Sequence, residues 1–267
     1  MSEWSKYIAE VVDEVPISKG FTYKEGTKAT GVVIEDNSHN EFVWIPVDNP
    51  DDYKKTTSYT EDLPSSITNE AADVKLYHGF YIGRYEATIP DNATSPTNST
   101  EIPTCQSKKT VLTNISYNKA KPNAESMYKW ENGSSVQSGL LTGKAWDTTC
   151  NWIKDYKIIV NGTEETISLT DSRKYGNYYN SVSPANSGNG TERKAGYNGN
   201  WKTKNIYDLA GNVWKWTCEA KSSYRFVRGG CYIFSGDTSP VSSRIDGHPS
   251  NSDDLIVFHI RFYIKTD

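Results

Sequence analysis

The sequence contains no run of apolar residues approaching the roughly 18 that a membrane-crossing helix needs, so no membrane span is expected. It also has no tract of Lys or Arg. With a net charge of −4 and its basic residues scattered, the chain lacks the electrostatic footprint of a nucleic-acid binder. Cysteine is scarce: Cys105, Cys150, Cys218 and Cys231 lie far apart, with no CxxC and no Cys/His spacing that would hold zinc. They leave room for one disulfide, of a pairing the sequence does not specify, but read first as buried free thiols. The N-terminal stretch from Met1 to Pro16 is acidic and has no apolar core, so no secretory signal is expected. The six Asn-x-Ser/Thr triplets, at Asn92, Asn98, Asn114, Asn132, Asn161 and Asn189, then read as ordinary polar loops. No Ser-His-Asp arrangement, phosphate loop or dinucleotide fingerprint is present.

What the chain does have is Tyr (18), Trp (8) and Gly (19) in 267 residues. Such a composition buries aromatics where short strands and turns meet. Trp4, Tyr7, Ile8, Val11 and Val12 follow a helical spacing, with Ser2 as cap and Pro16 as stop. The spacing predicts an N-terminal helix or extension over 1–20. So short a helix needs a surface to dock on, either this domain or a partner subunit of a homo-oligomer. Val32–Ile34 and Phe42–Val47 predict a hairpin turning at Asp36–Asn40. His78–Thr88 reads as a strand, residues 90–110 as loop. Two helices are predicted, over 117–130 with Ala120, Ala124 and Met127 inward, and over 143–155 with Trp146, Cys150 and Ile153 inward. Asn161-Gly162 marks a short hairpin. With no repeat and no internal boundary, the expectation is an α+β fold: an extension over 1–20 and a single domain over 21–267, two helices among short antiparallel strands and long loops.

Three motifs stand out: Phe80-Tyr-Ile-Gly-Arg-Tyr-Glu-Ala-Thr, then Asn205-Ile-Tyr-Asp-Leu-Ala-Gly-Asn-Val-Trp-Lys-Trp-Thr, then Val227-Arg-Gly-Gly-Cys-Tyr followed by Val257-Phe-His-Ile-Arg-Phe-Tyr-Ile. Physically they look like scaffold. Gly211-Asn212 suits a turn of positive φ, Trp214 and Trp216 fall on one face of a strand, and Gly229-Gly230 suits close backbone approach. In type, order and spacing, over residues 30–265, they resemble the formylglycine-generating-enzyme, or sulfatase-modifying-factor, family. That resemblance implies its C-type lectin fold.

The resemblance also implies two metal sites, and the sequence departs from both. The family's copper-binding cysteines fall on Phe234 and Ser239. Phenylalanine has no donor atom and neutral serine is a poor ligand for copper(I), so no catalytic residues, no metal and no cofactor are expected. The family's calcium site around the Gly-Asn-Val-Trp turn would use Asp208 and the position of Lys215. A lysine ammonium has no lone pair to offer. It would supply positive charge in the ion's place, pairing with Asp208. A related branch adds a helical domain with an iron-binding histidine triad. Here His39, His78, His248 and His259 are scattered, and no such domain fits before residue 30.

The tail is compositionally unusual. Ser222–Ile264 contains no Lys, Glu, Met, Gln or Trp, although the chain has 22 Lys and 16 Glu. Those five residues are the ones that NNC codons cannot encode, the set that adenine-directed mutagenesis of AAC codons excludes. Variable proteins of diversity-generating retroelements, which share this lectin fold, concentrate their variation in this part of the chain. Cys231, Ile233, Phe234, Val257 and His259 stand where the family has polar or small residues, and read as scatter at diversified positions. The expectation is a non-catalytic ligand- or receptor-binding protein, a phage or bacterial variable protein whose variable segment runs over about 228–262. Its candidate contacts mix aromatic and adaptable polar types: Tyr232, Phe234, Ser235, Asp237, Ser239, Arg244, Asp246, His248, Asn251 and Asp253. The partner would be a protein or glycan on a target cell surface. The competing classes are a residual oxidoreductase of the formylglycine type and a structural virion protein.

Overall fold

The computed structural model describes residues 6–91, 93 and 101–266. Its elements, in chain order, are β1 (Ile8–Val12), β2 (Val15–Ser18), β3 (Phe21–Glu25), β4 (Val33–Asp36), β5 (Glu41–Pro46), β6 (Thr60–Glu61), α1 (Ala72–Tyr77), β7 (Gly79–Gly83), α2 (Tyr117–Ser126), β8 (Val136–Leu140), α3 (Gly143–Ile153), β9 (Lys157–Val160), β10 (Thr163–Thr166), β11 (Lys202–Thr203), β12 (Ile206–Tyr207), β13 (Trp214–Lys221), β14 (Tyr224–Arg228), β15 (Arg244–Gly247), β16 (Ile256–Phe258) and β17 (Ile260–Ile264).

Two sheets organise the domain. The larger runs β3-β4-β5-β7-β17-β8, so the last strand of the chain lies between β7 and β8 and closes the fold. The other runs β15-β14-β13-β16. Its long strand β13 pairs in parallel with β16 over Trp214–Trp216, and antiparallel with β6 at Glu219 and Ala220. Aromatic packing fills the core: Phe42 and Phe262 lie 3.8 Å apart at their centroids, flanked by Phe21 and Tyr128. Three buried Trp side chains donate their indole N–H to carbonyls, Trp146 to Val241, Trp201 to Ala185 and Trp216 to Ile115. Burying so large a ring without that bond would leave a donor unsatisfied.

The expected hairpin over 31–47 is β4–β5, and the Asn161-Gly162 turn joins β9 to β10 with φ of 50° and 82°, as a two-residue turn requires. The helices expected over 117–130 and 143–155 are α2 and α3. Thr142 caps α3 by accepting from the Ala145 N–H at 3.0 Å. All four cysteines are buried free thiols.

One expected element is wrong. The N-terminal segment is not a helix. Residues Ile8–Ser18 form the β1–β2 hairpin, turning at Asp13 and Glu14, both at positive φ. Trp4 and Ser2 lie outside the described residues. The stripe that mimicked a helical face is rich in β-branched residues, which pack well on a pleated surface. Ile8, Val15 and Ile17 are buried in the core, and the Tyr81 hydroxyl donates to the Pro16 carbonyl at 3.0 Å. The segment is therefore docked on its own domain. A further helix, α1, went unpredicted. It is only six residues long and ends at His78, which adopts the left-handed conformation with φ of 61°.

Candidate functional site

The site grows from the turn that starts β13. Gly211 and Asn212 both take positive φ, and a Cβ at Gly211 would come within 2.3 Å of the Asn177 carbonyl oxygen. Asn212 then spans the interior. Its Nδ2 donates to Glu86 at 2.6 Å, and its Oδ1 accepts from Asn177 at 2.9 Å. Lys215, two residues into the strand, is fully buried. Its ammonium lies 2.9 Å from Glu86 and donates to the Gly211 carbonyl. The expected pairing of Lys215 with Asp208 is thus corrected: the partner is Glu86, because Glu86 approaches the turn from beyond β7. Asp208 instead accepts from the Gly196 N–H at 2.7 Å, and burial and the nearby Glu86 raise its carboxyl well above the usual range. With an ammonium among these carboxylates, the donor set does not suit calcium.

Trp214 and Trp216 alternate with Lys215 and face the other way, towards a cleft. Trp216 is fixed edge-on to Tyr117, with centroids 5.8 Å apart. Val227 of β14 and Ile245 and Gly247 of β15 extend the same floor. Gly247 packs on Trp216, where a Cβ would come within 3.0 Å of the indole; with Trp214 4% and Trp216 1% exposed, the two rings form a buried base beneath the cleft. Two loops form the walls. One leaves β14 through Gly229-Gly230, where a Cβ would come within 2.6 Å of the Leu209 oxygen and 2.1 Å of the Ser239 oxygen respectively. This pinned base projects Phe234, 41 % exposed, beside Trp214. The other wall, residues 248–255, is tied to the scaffold by Asn118 N–H to Pro249 O at 3.0 Å and Asn114 N–H to Asp253 O at 2.9 Å. The Asp253 carboxylate receives the Leu255 N–H at 2.8 Å, and the Trp214 N–H reaches the Leu255 carbonyl at 2.7 Å. The cleft is open to solvent and holds about 590 Å³, within the range of ligand pockets.

Of the predicted contacts, Phe234, Asp246, Asn251 and Asp253 line this cleft. The others do not. Tyr232 is half-buried, its N–H donating to the Asn212 carbonyl at 2.8 Å. Burial first, and then Asp254, raise its hydroxyl pKa. His248 makes a 2.6 Å hydrogen bond with Ser250 and meets Tyr224 edge-on. Ser235, Asp237 and Ser239 form a turn on the far side of the Phe234 loop. Ser235 accepts from Asn180 at 2.6 Å and donates to Asp237, and the Ser239 N–H returns to the Ser235 carbonyl at 2.8 Å. Arg244 points inward, its guanidinium 2.8 Å from Glu219 and 3.3 Å from Asp147. It belongs with Arg228 to a charge network under the sheet.

The scatter reading also needs correction. Cys231, Val257 and His259 are fully buried, so only Ile233 and Phe234 of those five positions face solvent. His259 sits in the core beneath Gly83, and burial holds its imidazole down to about 3, hence neutral. Ile245 was missed, although strand alternation over Arg244–Gly247 puts it opposite Arg244. The floor Trp residues were seen only as scaffold. At the family's copper positions, Phe234 offers no donor atom and Ser239 only a neutral hydroxyl. The residues present do not fit copper.

No family model matches the chain, and no curated protein matches it. Among solved structures, it is similar to PvdO from Pseudomonas aeruginosa, 17% identical with a TM-score of 0.50, over 87% of this chain and 98% of that one. It is also similar to Treponema denticola variable protein 1 (14% identical, TM-score 0.47, covering 84% and 96%) and to CarF (14% identical, TM-score 0.47, covering 85% and 99%). The fold is the α+β, C-type-lectin-like fold of the formylglycine-generating type that the three motifs implied.

Proposed function

We propose that this chain is a non-catalytic binding protein that takes its ligand in the cleft over Trp214 and Trp216, and that exposed positions around the cleft are diversified. The observation that carries the reading is the cleft itself. A rigid aromatic floor, with each Trp held by the strand, is flanked by exposed Phe234 and Ile245 and by the adaptable polar side chains of Ser250, Asn251 and Ser252. Rigid aromatic anchors combined with small polar residues are the makeup of a paratope. Most of the lining falls in Ser222–Ile264, the segment without Lys, Glu, Met, Gln or Trp. The floor residues Trp214 and Trp216 lie just outside it, where a scaffold should. The setting would be a phage receptor-binding protein or a bacterial surface protein.

The test is amplicon sequencing of the gene's 3′ end in a natural population, with its flanking DNA. Substitutions should fall on exposed lining positions such as Phe234, Ile245, Asp246 and Asn251. Trp214, Trp216 and Gly229-Gly230 should stay constant, and a nearby template repeat should carry AAC at the changing codons. A uniform tail with no template removes the diversified reading.

A further inference from the structure

The cleft carries charge of one sign. Asp253 lines it, and Asp246 stands at its rim on the edge strand, alternating with Ile245; among the described residues no Lys, Arg or His lines it. Among the described residues neither carboxylate has an ion-pair partner, in contrast to buried Glu41, Glu86, Glu219 and Asp73, which face Arg84, Lys215, Arg228 and Arg261. The cations nearest in sequence are committed elsewhere. Arg225 reaches Asp62 at 2.9 Å and lies over Tyr117, Lys215 is buried on Glu86, and Arg244 is held by Glu219. Asp254 adds to the field. It shares a hydrogen bond with Asp253, which raises its carboxyl above the ordinary value, so two carboxyls stand together without a cation. Glu192 is near enough to feel Asp254, its carboxyl pushed up to about 7 by burial and then by Glu86 and Asp254.

We infer that the ligand of this cleft is a cationic, apolar segment of a protein: an aromatic or long aliphatic side chain against exposed Phe234 and Ile245, above the Trp214–Trp216 base, with flanking Lys or Arg heads on Asp246 and Asp253. This rests on the reading of the cleft as the binding face. A basic side chain suits both parts of the wall, because its stem lies along apolar surface while its head reaches a carboxylate. Phosphorylated, sulfated or sialylated ligands would meet uncompensated negative charge. The field also speeds encounter with a positive partner, an effect that salt screens over about 8 Å at physiological ionic strength.

Three capped tripeptide amides separate the outcomes: acetyl-Lys-Trp-Lys, acetyl-Ser-Trp-Ser and acetyl-Glu-Trp-Glu, each titrated into the ¹⁵N-labelled full chain. The Gly247 and Asn251 amides report on the cleft. The Lys peptide should shift them and bind about 2- to 30-fold more tightly than the Ser peptide, the span that two exposed ion pairs supply. The Glu peptide should bind most weakly. Asp246→Asn with Asp253→Asn should erase the difference between Lys and Ser peptides, and the fold should hold, since the side-chain amide oxygen introduced by Asp253→Asn can still accept from the Leu255 N–H. Equal binding of all three peptides at the cleft overturns the cationic assignment and leaves the binding face standing. If none of the three perturbs Gly247 or Asn251, the cleft is not an apolar binding face and both readings fall.

Discussion

Lys215→Met is the most informative change to make in the scaffold. Lys215 and Glu86 are both fully buried and 2.9 Å apart. Methionine fills much the same volume without the ammonium. Glu86 would keep its bonds from Asn212 at 2.6 Å and the Val213 N–H at 3.4 Å, but lose the cation it faces. Removing one member of a buried pair costs about 3–5 kcal/mol, because the other charge stays buried and uncompensated. Against a total stability of about 5–15 kcal/mol, that is a large loss. It should appear as a urea midpoint lower by about 1–2 M with the slope unchanged. Adding Glu86→Gln to Lys215→Met neutralises the site and should recover at least half of the loss, a non-additivity that the double-mutant cycle reads directly. A cost below about 1 kcal/mol for Lys215→Met, or a double variant no more stable than the single, would refute the claim that this ion pair organises the turn beneath the cleft.

Two further outcomes follow from the same electrostatics. Glu61 is pushed up to about 7 by burial and Asp208 is raised as well, so between their unfolded and folded pKa values folding takes up protons, and stability falls as pH rises through about 4.5–7 and beyond. His259, held down to about 3, acts in the opposite sense and loses stability as pH falls below its unfolded value near 6.5. With the raised acids outnumbering the one histidine, urea midpoints should be higher at about pH 5.5 than at about pH 8, and Glu61→Gln should flatten the difference; the reverse order contradicts the burial argument. Arg244→Ala should lower stability by about 1–3 kcal/mol, through its hydrogen-bonded pairing with Glu219 and Asp147, and leave tripeptide binding at the cleft unchanged. Lost binding without lost stability would restore Arg244 as a contact residue.

Much of the architecture was legible because it depends on local chemistry. Gly211-Asn212 and Asn161-Gly162 need positive φ, and those pairs tolerate it whatever surrounds them. Helices α2 and α3 carry apolar faces at helical spacing, and Trp214 and Trp216 share a face because strands alternate. The N-terminal hairpin failed the same logic. A stripe read at period 3.6 was also a set of β-branched residues, and what decided between them was contact with Tyr81 and the core, remote in sequence.

The candidate site divides along the same line. Residue identity alone was enough to deny copper its donors at Phe234 and to mark a tail without Lys or Glu, since a missing atom is missing in any fold. Which side chains meet could not be read from the chain. Arg244 and Ile245 are neighbours, yet one turns into the Glu219–Asp147 network and the other onto the cleft floor. Cys231, Val257 and His259 look variable in sequence but lie in the core. Lys215 finds Glu86, more than a hundred residues away, rather than Asp208, because the strands fix which buried charge lies within reach. Sequence by itself settled turns, periodicity and the absence of ligating atoms, all short-range properties of bonded geometry and composition. Tertiary structure alone decided burial, charge pairing and the cleft, because these depend on distances between segments that the order of residues does not specify.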